Sequence, residues 1–167
     1  MHCGRRAVGF TLLELLVTLV IIGIVVGMAT LSLSNDEARQ VEQTGERLNA
    51  LIELAKQEAL FGAQEFGLVF WQNGYAFYRL ENQQWAPVTN DREFRPRSVP
   101  AGIEIDLRLE GLDVELPRVL RERQRPQVFV FSSGEMTPFT AEIGTSDTKV
   151  TLTADALGNL AFAAPQL

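Results

Sequence analysis

From Leu15 to Asn35 the chain carries no charged residue, and one acid, Glu14, stands immediately before this run. As a helix these 21 positions would extend ~31 Å at ~1.5 Å per residue, which matches the ~30 Å hydrocarbon layer of a bilayer. An ionised carboxylate in lipid costs at least a few kcal/mol, so Glu14 needs a cation close by. Arg5 and Arg6 precede the run, while Asp36 and Glu37 follow it. That asymmetry keeps the basic end inside and places residues from 36 onward beyond the membrane.

Arginines before an apolar run also fit a secretory signal peptide cut near Gly27-Met28-Ala29. Against it stand the length of the run, the acid near its start and the helical pattern that continues beyond it. A plain single-span anchor explains the length but leaves Glu14 and the Gly9-Phe10 junction as accidents. The order Gly9, Phe10-Thr11-Leu12-Leu13-Glu14 and an uncharged stretch resembles the class III signal of type IV pilin-like proteins. The resemblance implies that a membrane prepilin peptidase cuts between Gly9 and Phe10, methylates the new amino terminus at Phe10 and leaves the helix in place. Three parts follow: a leader at 1–9, a transmembrane and assembly helix at 10–35, and a periplasmic domain at 36–167. The protein would then sit in a bacterial inner membrane, single-pass, with its N-terminus cytoplasmic before processing.

The cut would supply the missing cation. An α-amine at Phe10 lies one helical turn from Glu14, on the same helix or on a neighbour alongside. Pairing the two turns a pair of costly membrane charges into one bonded unit and sets the axial register between subunits. Gly23, Gly27 and Ala29 offer a face where another helix could approach, although lipid-facing glycine explains them equally well.

Composition narrows the chemistry. The only histidine, His2, and the only cysteine, Cys3, both lie in the leader. A processed chain would hold no thiol nucleophile, no disulfide, no histidine base and no Cys/His zinc site. No motif for a cofactor or metal is expected, and no catalytic residue is assigned. Carboxylate pairs stay open, because any two of many acids could meet in space. The net charge of −6 loses two positives, Arg5 and Arg6, with the leader and falls to −8, which disfavours nucleic acid. Two clusters break the acidic pattern: Arg92, Arg95 and Arg97, and Arg118, Arg121, Arg123 and Arg125. They are read as solvated loops, with a docking patch for an acidic partner as the alternative.

Beyond the apolar run Val41, Gly45, Leu48, Ile52, Ala55, Ala59 and Gly62 recur three or four apart, so one helix is expected from about Thr11 to Phe61. A bend is expected near Gly45. At Glu65 the period changes to two. Gly67 to Trp71 and Tyr75 to Leu80 form a hairpin with Asn73-Gly74 expected as its turn. A strand near Trp85 to Val88, a charged and proline-rich loop from Thr89 to Gly102 and an alternating strand from Ile103 to Leu109 come next. Further strands are expected at Gln127–Ser132, Phe139–Ile143, Lys149–Thr153 and Leu160–Ala163, with Ser133-Gly134-Glu135 as a turn. The sum is an α+β fold, one long helix packed on antiparallel sheet.

Gly45-Glu46-Arg47-Leu48, Glu58-Ala59-Leu60, Gly74-Tyr75-Ala76-Phe77, Trp85-Ala86-Pro87 and the run Ser132 to Phe139 together resemble the H-type minor pseudopilins of type II secretion. Turns and core packing account for the same residues. The resemblance implies a pilin-like fold and a non-enzymatic subunit near the tip of a periplasmic pseudopilus. It would join the I, J and K types to the major G-type pseudopilin and support export of folded proteins. A minor pilin of a type IV pilus shares the signal and remains the near alternative. A membrane-anchored periplasmic hydrolase using carboxylates, or a binding domain, is the alternative of another class.

Overall fold

The computed structural model describes residues 11–121 and 124–164, without the side chains of 25–35. Helix α1 spans Leu12–Gly62. Two compact units divide it, one ending at Glu37 and one beginning at Ala38.

In the second unit the helix supplies one stripe to the core. Val41, Leu48, Leu51, Ile52, Ala55 and Ala59 are buried there, while Gly62 is exposed. Leu51 widens the expected stripe, as a helix facing a broad surface requires. Gly45 is also buried, and the helix runs through it uninterrupted. A Cβ at this position would lie 2.7 Å from both Phe162 Cε2 and Val150 Cγ2. The glycine therefore serves close approach to the sheet rather than the bend expected from sequence.

Ten strands follow: β1 Phe66–Trp71, β2 Gly74–Glu81, β3 Gln84–Pro87, β4 Arg97–Ser98, β5 Glu104–Leu109, β6 Leu112–Val114, β7 Val128–Val130, β8 Phe139–Gly144, β9 Lys149–Ala154 and β10 Leu160–Ala163. They form two antiparallel sheets where the sequence reading expected one. The first has the order β3-β2-β1-β7 with β4 paired to β2, and the second the order β10-β9-β8-β5-β6. Helix residues and both sheets share a single core, in which Phe66, Phe70, Phe77 and Phe94 are fully buried.

Strand β1 is buried along its whole length, so its expected alternation is absent. Leu68 and Phe70 join the main core, whereas Val69 and Trp71 form a second cluster with Ala76 and Tyr78, covered by Trp85 and Leu120. A strand covered on both faces reads as a continuous apolar run. Strand β5 does alternate: Ile105 and Leu107 point inward, and Glu104, Asp106 and Arg108 outward.

The first hairpin turns one residue earlier than expected. Trp71 pairs with Gly74, so Gln72 and Asn73 make the turn, and Gly74 opens β2. Gly74 is demanded by crowding, because a Cβ there would collide with the Arg97 carbonyl and the Trp71 ring. The next hairpin has the left-handed pair: Asn82 at φ 49° and Gln83 at φ 64°, closed by Glu81 opposite Gln84.

The Thr89–Gly102 segment is tied down in two places. Phe94 inserts between Phe66 and Phe77, with ring centroids 5.2 and 5.1 Å away, and β4 pairs with the start of β2. At the other edge Pro126 has no N–H to extend β7, and the Gln127 side chain continues the ladder in its place. Phe70 N–H donates to Gln127 Oε1 at 2.9 Å, and Gln127 Nε2 donates to the Phe70 carbonyl at 3.0 Å.

Candidate functional site

Gly9 and Phe10, the expected cleavage and methylation residues, lie outside the described residues, as do His2, Cys3 and Arg123. The described helix starts immediately beyond them. Thr11 precedes its first turn, and Glu14 is the third helical residue, the spacing of a capping box. Glu14 N–H donates to Thr11 Oγ1 at 3.3 Å and to the Thr11 carbonyl at 3.1 Å. An acid in the first turn also faces the positive end of the helix dipole. Glu14 is exposed and forms no ion pair among the described residues.

Around it the helix is apolar on every side. The large apolar side chains of the stretch from Leu12 to Ile24 are between 45% and 86% exposed. A helix greasy all round has no face to give to water and requires lipid or other helices. Thr18, the polar exception, turns its hydroxyl back on the Glu14 and Leu15 carbonyls, at 2.8 and 2.9 Å. Its hydrogen-bonding need is thus met within the helix. Among the described residues no helix is long and apolar enough to cross a membrane. The rest of the uncharged run has its side chains in 25–35, outside the description.

In the second unit the acids that meet are held apart by bases. Lys149 Nζ lies 3.1 Å from Asp106 Oδ2 and 3.5 Å from Glu142 Oε2, while Arg108 binds Glu142 and reaches Asp113 at 3.1 Å. The hydrogen bond that Lys149 donates to Asp106 holds its ammonium above the usual lysine range, against a partial desolvation cost. This lattice of neutralised charges on the outer face of β5, β8 and β9 is a solvated sheet surface, not a pair of carboxylates poised for acid–base work. Among the described residues no group of three or more acids, histidines or cysteines could hold a metal.

The residues that carried the second resemblance are seen here as fold chemistry. Trp85 lies across Gly67 to pack on Phe129, with centroids 5.4 Å apart. Ser132 Oγ donates to Glu65 at 3.3 Å, and Gly134 takes φ +91° beside Leu60. Of the arginine clusters, Arg92, Arg95, Arg118, Arg121 and Arg125 are exposed, as expected of solvated loops. Arg97 departs from them. It is half-buried in β4, and its Nη2 donates to the Arg92 and Glu93 carbonyls at 3.2 and 3.1 Å. No charge count would have set it apart; the signal was its place in a short strand.

Known proteins divide the chain in the same way. Residues 5–30 match the prokaryotic N-terminal methylation motif, and residues 44–158 match the family described as type II transport protein GspH. Type II secretion system protein H of Pseudomonas aeruginosa is 31% identical over 163 residues, covering 90% of this chain and 92% of that protein. The protein of that name from Aeromonas hydrophila is 28% identical, covering 93% of each. Among solved structures, the minor pseudopilin EpsH from the type II secretion system of Vibrio cholerae superposes with a TM-score of 0.66 at 26% identity, over 77% of this chain and 96% of that one.

Proposed function

The chain belongs to the type II transport protein GspH family and is a minor pseudopilin of type II secretion, and from that premise we propose how its amino-terminal helix works. Cleavage between Gly9 and Phe10 removes the leader 1–9 and creates a methylated α-amine at Phe10. The helix 10–35 stays in the bacterial inner membrane, and the domain 36–167 lies in the periplasm. Inside the membrane Glu14 binds the amine of a neighbouring subunit, which fixes how far one helix slides along the next.

The observation that carries this reading is the exposed Glu14, without an ion pair among the described residues, on a helix that is apolar all round. Such a surface is stable only when lipid or sister helices cover it and a cation reaches the acid. The methylation motif over residues 5–30 supports the same reading. The family is one of structural subunits, and the role proposed is non-catalytic: a link near the pseudopilus tip between the I, J and K types and the major G-type pseudopilin. A subunit that retains the acid inserts below the top of the filament.

Glu14→Leu separates the two tasks of this segment. Leader removal should proceed normally, whereas secretion by a strain carrying only the variant should fall at least tenfold, the factor set by an unpaired membrane amine costing about 1.4 kcal/mol or more. Secretion at the normal rate would show that the amine has no need of this acid.

A further inference from the structure

A groove of about 300 Å³ opens where α1 passes the β2–β4 edge, lined by Gln43, Thr44, Arg47, Tyr75, Arg97 and Ser98. Arg97 stands opposite Tyr75 in the ladder, and its Nη2 is spent on the two carbonyls that hold the guanidinium still. Its Nε is buried with no hydrogen-bond partner. Arg47 is exposed on the facing helix. Neither arginine forms an ion pair among the described residues. Both nonetheless act on the Tyr75 phenol, which burial pushes up and the charges of Arg97 and then Arg47 pull down. Thr44 gives its hydroxyl proton to the Gln40 carbonyl at 2.7 Å and so presents acceptor lone pairs that water or a protonated partner can use.

Two unpaired guanidiniums beside amide and hydroxyl groups, in a chain whose net charge is −6, make a local cationic notch on an acidic protein. A guanidinium whose charge no carboxylate among the described residues neutralises suits an acidic side chain, and its orientation is already fixed before the partner arrives. We infer that this groove receives an acidic side chain from an adjacent pilin-like subunit, with Arg47 and Arg97 as its anchors. The inference rests on the filament-subunit reading above and adds a periplasmic contact to the one made in the membrane. A docking patch for an acidic partner, left open for the arginine cluster that includes Arg97, is thus narrowed to that one arginine together with Arg47 on the helix. Such a contact gives orientation as well as attraction, since like charges brought to the same place repel.

The test uses the full chain in secreting cells, with a photo-crosslinking residue in place of Gln43. Illumination should join it to a second pilin-like subunit through a peptide that contains Asp or Glu. Arg47→Glu should lower the adduct about tenfold, the effect of setting like charges against each other at a contact worth a little over 1 kcal/mol. Arg47→Lys should retain most of it. Arg47 is exposed and forms no ion pair among the described residues, so these variants should spare the domain; Arg97→Gln provides a second reading from the other anchor. An adduct unchanged by Arg47→Glu, a cross-linked peptide without an acid, or an adduct with lipid or a secreted protein alone overturns the inference while normal secretion continues. If the unaltered chain fails to support secretion, the filament reading falls and this contact falls with it.

Discussion

Replacing Gly45 by alanine should destabilise the protein, although the same change in an ordinary helix interior is worth about 1 kcal/mol in its favour. The reason is the pair of 2.7 Å approaches that an added Cβ would make to Phe162 and Val150. Phe162 offers the far end of its ring on the terminal strand β10 and is only half-buried, so it can swing aside. Val150 cannot, because it is fully buried in β9 and its branched side chain has few rotamers to choose from. Overpacking of this kind costs about 1–3 kcal/mol, which leaves a net loss near 1 kcal/mol and lowers Tm by roughly 4 °C. Urea unfolding of the detergent-extracted chain, followed by the fluorescence of Trp71 and Trp85, measures it. With Val150→Ala as background, the same Gly45→Ala step should become neutral or stabilising, a coupling of about 1–2 kcal/mol. If Gly45→Ala alone raises stability by the full helix-propensity gain, α1 does not lie against β9 as described.

Two further outcomes follow from the domain. Phe94→Ala should cost about 3–5 kcal/mol, the usual loss for a fully buried phenylalanine, and should expose 89–102 to limited proteolysis before the rest of the chain. Lys149 gains its partners on folding and its ammonium is held above the usual range, so its contribution is complete below the unfolded lysine pKa and disappears as pH rises through the folded value. Its side chain is 44% exposed, so Lys149→Gln should remove only a few tenths of a kcal/mol at neutral pH while flattening the alkaline decline in a pH series of melts.

Periodicity was most readable where one face of an element meets the core. The stripe from Val41 to Ala59 and the alternation of β5 led directly to the correct elements, because water selects the side that each side chain occupies. Reading broke down where two structures compete for one glycine. Asn73-Gly74 has the composition of a left-handed turn, but the Arg97 carbonyl, from a distant segment, claims the space beside Gly74. Gly45 was misread for the same cause: a close neighbour, not backbone freedom, selects it. Strand β6 was missed because three residues with one half-buried side chain give no period; its Glu110-Gly111 turn, at φ 51° and 82°, was the available clue. Division of the strands into two sheets depends on pairings between remote segments, such as β1 with β7 and β5 with β8, which local pattern does not encode.

The assignment to secretion rather than to a type IV pilus rests on the match across residues 44–158, since the amino-terminal signal is common to both classes. Several of the domain residues that carry the resemblance to H-type pseudopilins are core and turn positions. Family signature and fold chemistry coincide at Trp85, Gly134 and Gly74, while two further signature residues, Arg47 and Tyr75, line the groove that Arg97 completes.

The most direct check on the central claim is the intact mass of the chain extracted from the native membrane. Removal of residues 1–9 with one added methyl group would place a charged amine one turn from Glu14, as the account requires. A chain that still begins at Met1, or one that begins after Ala29, would leave that acid without its proposed partner and contradict the account.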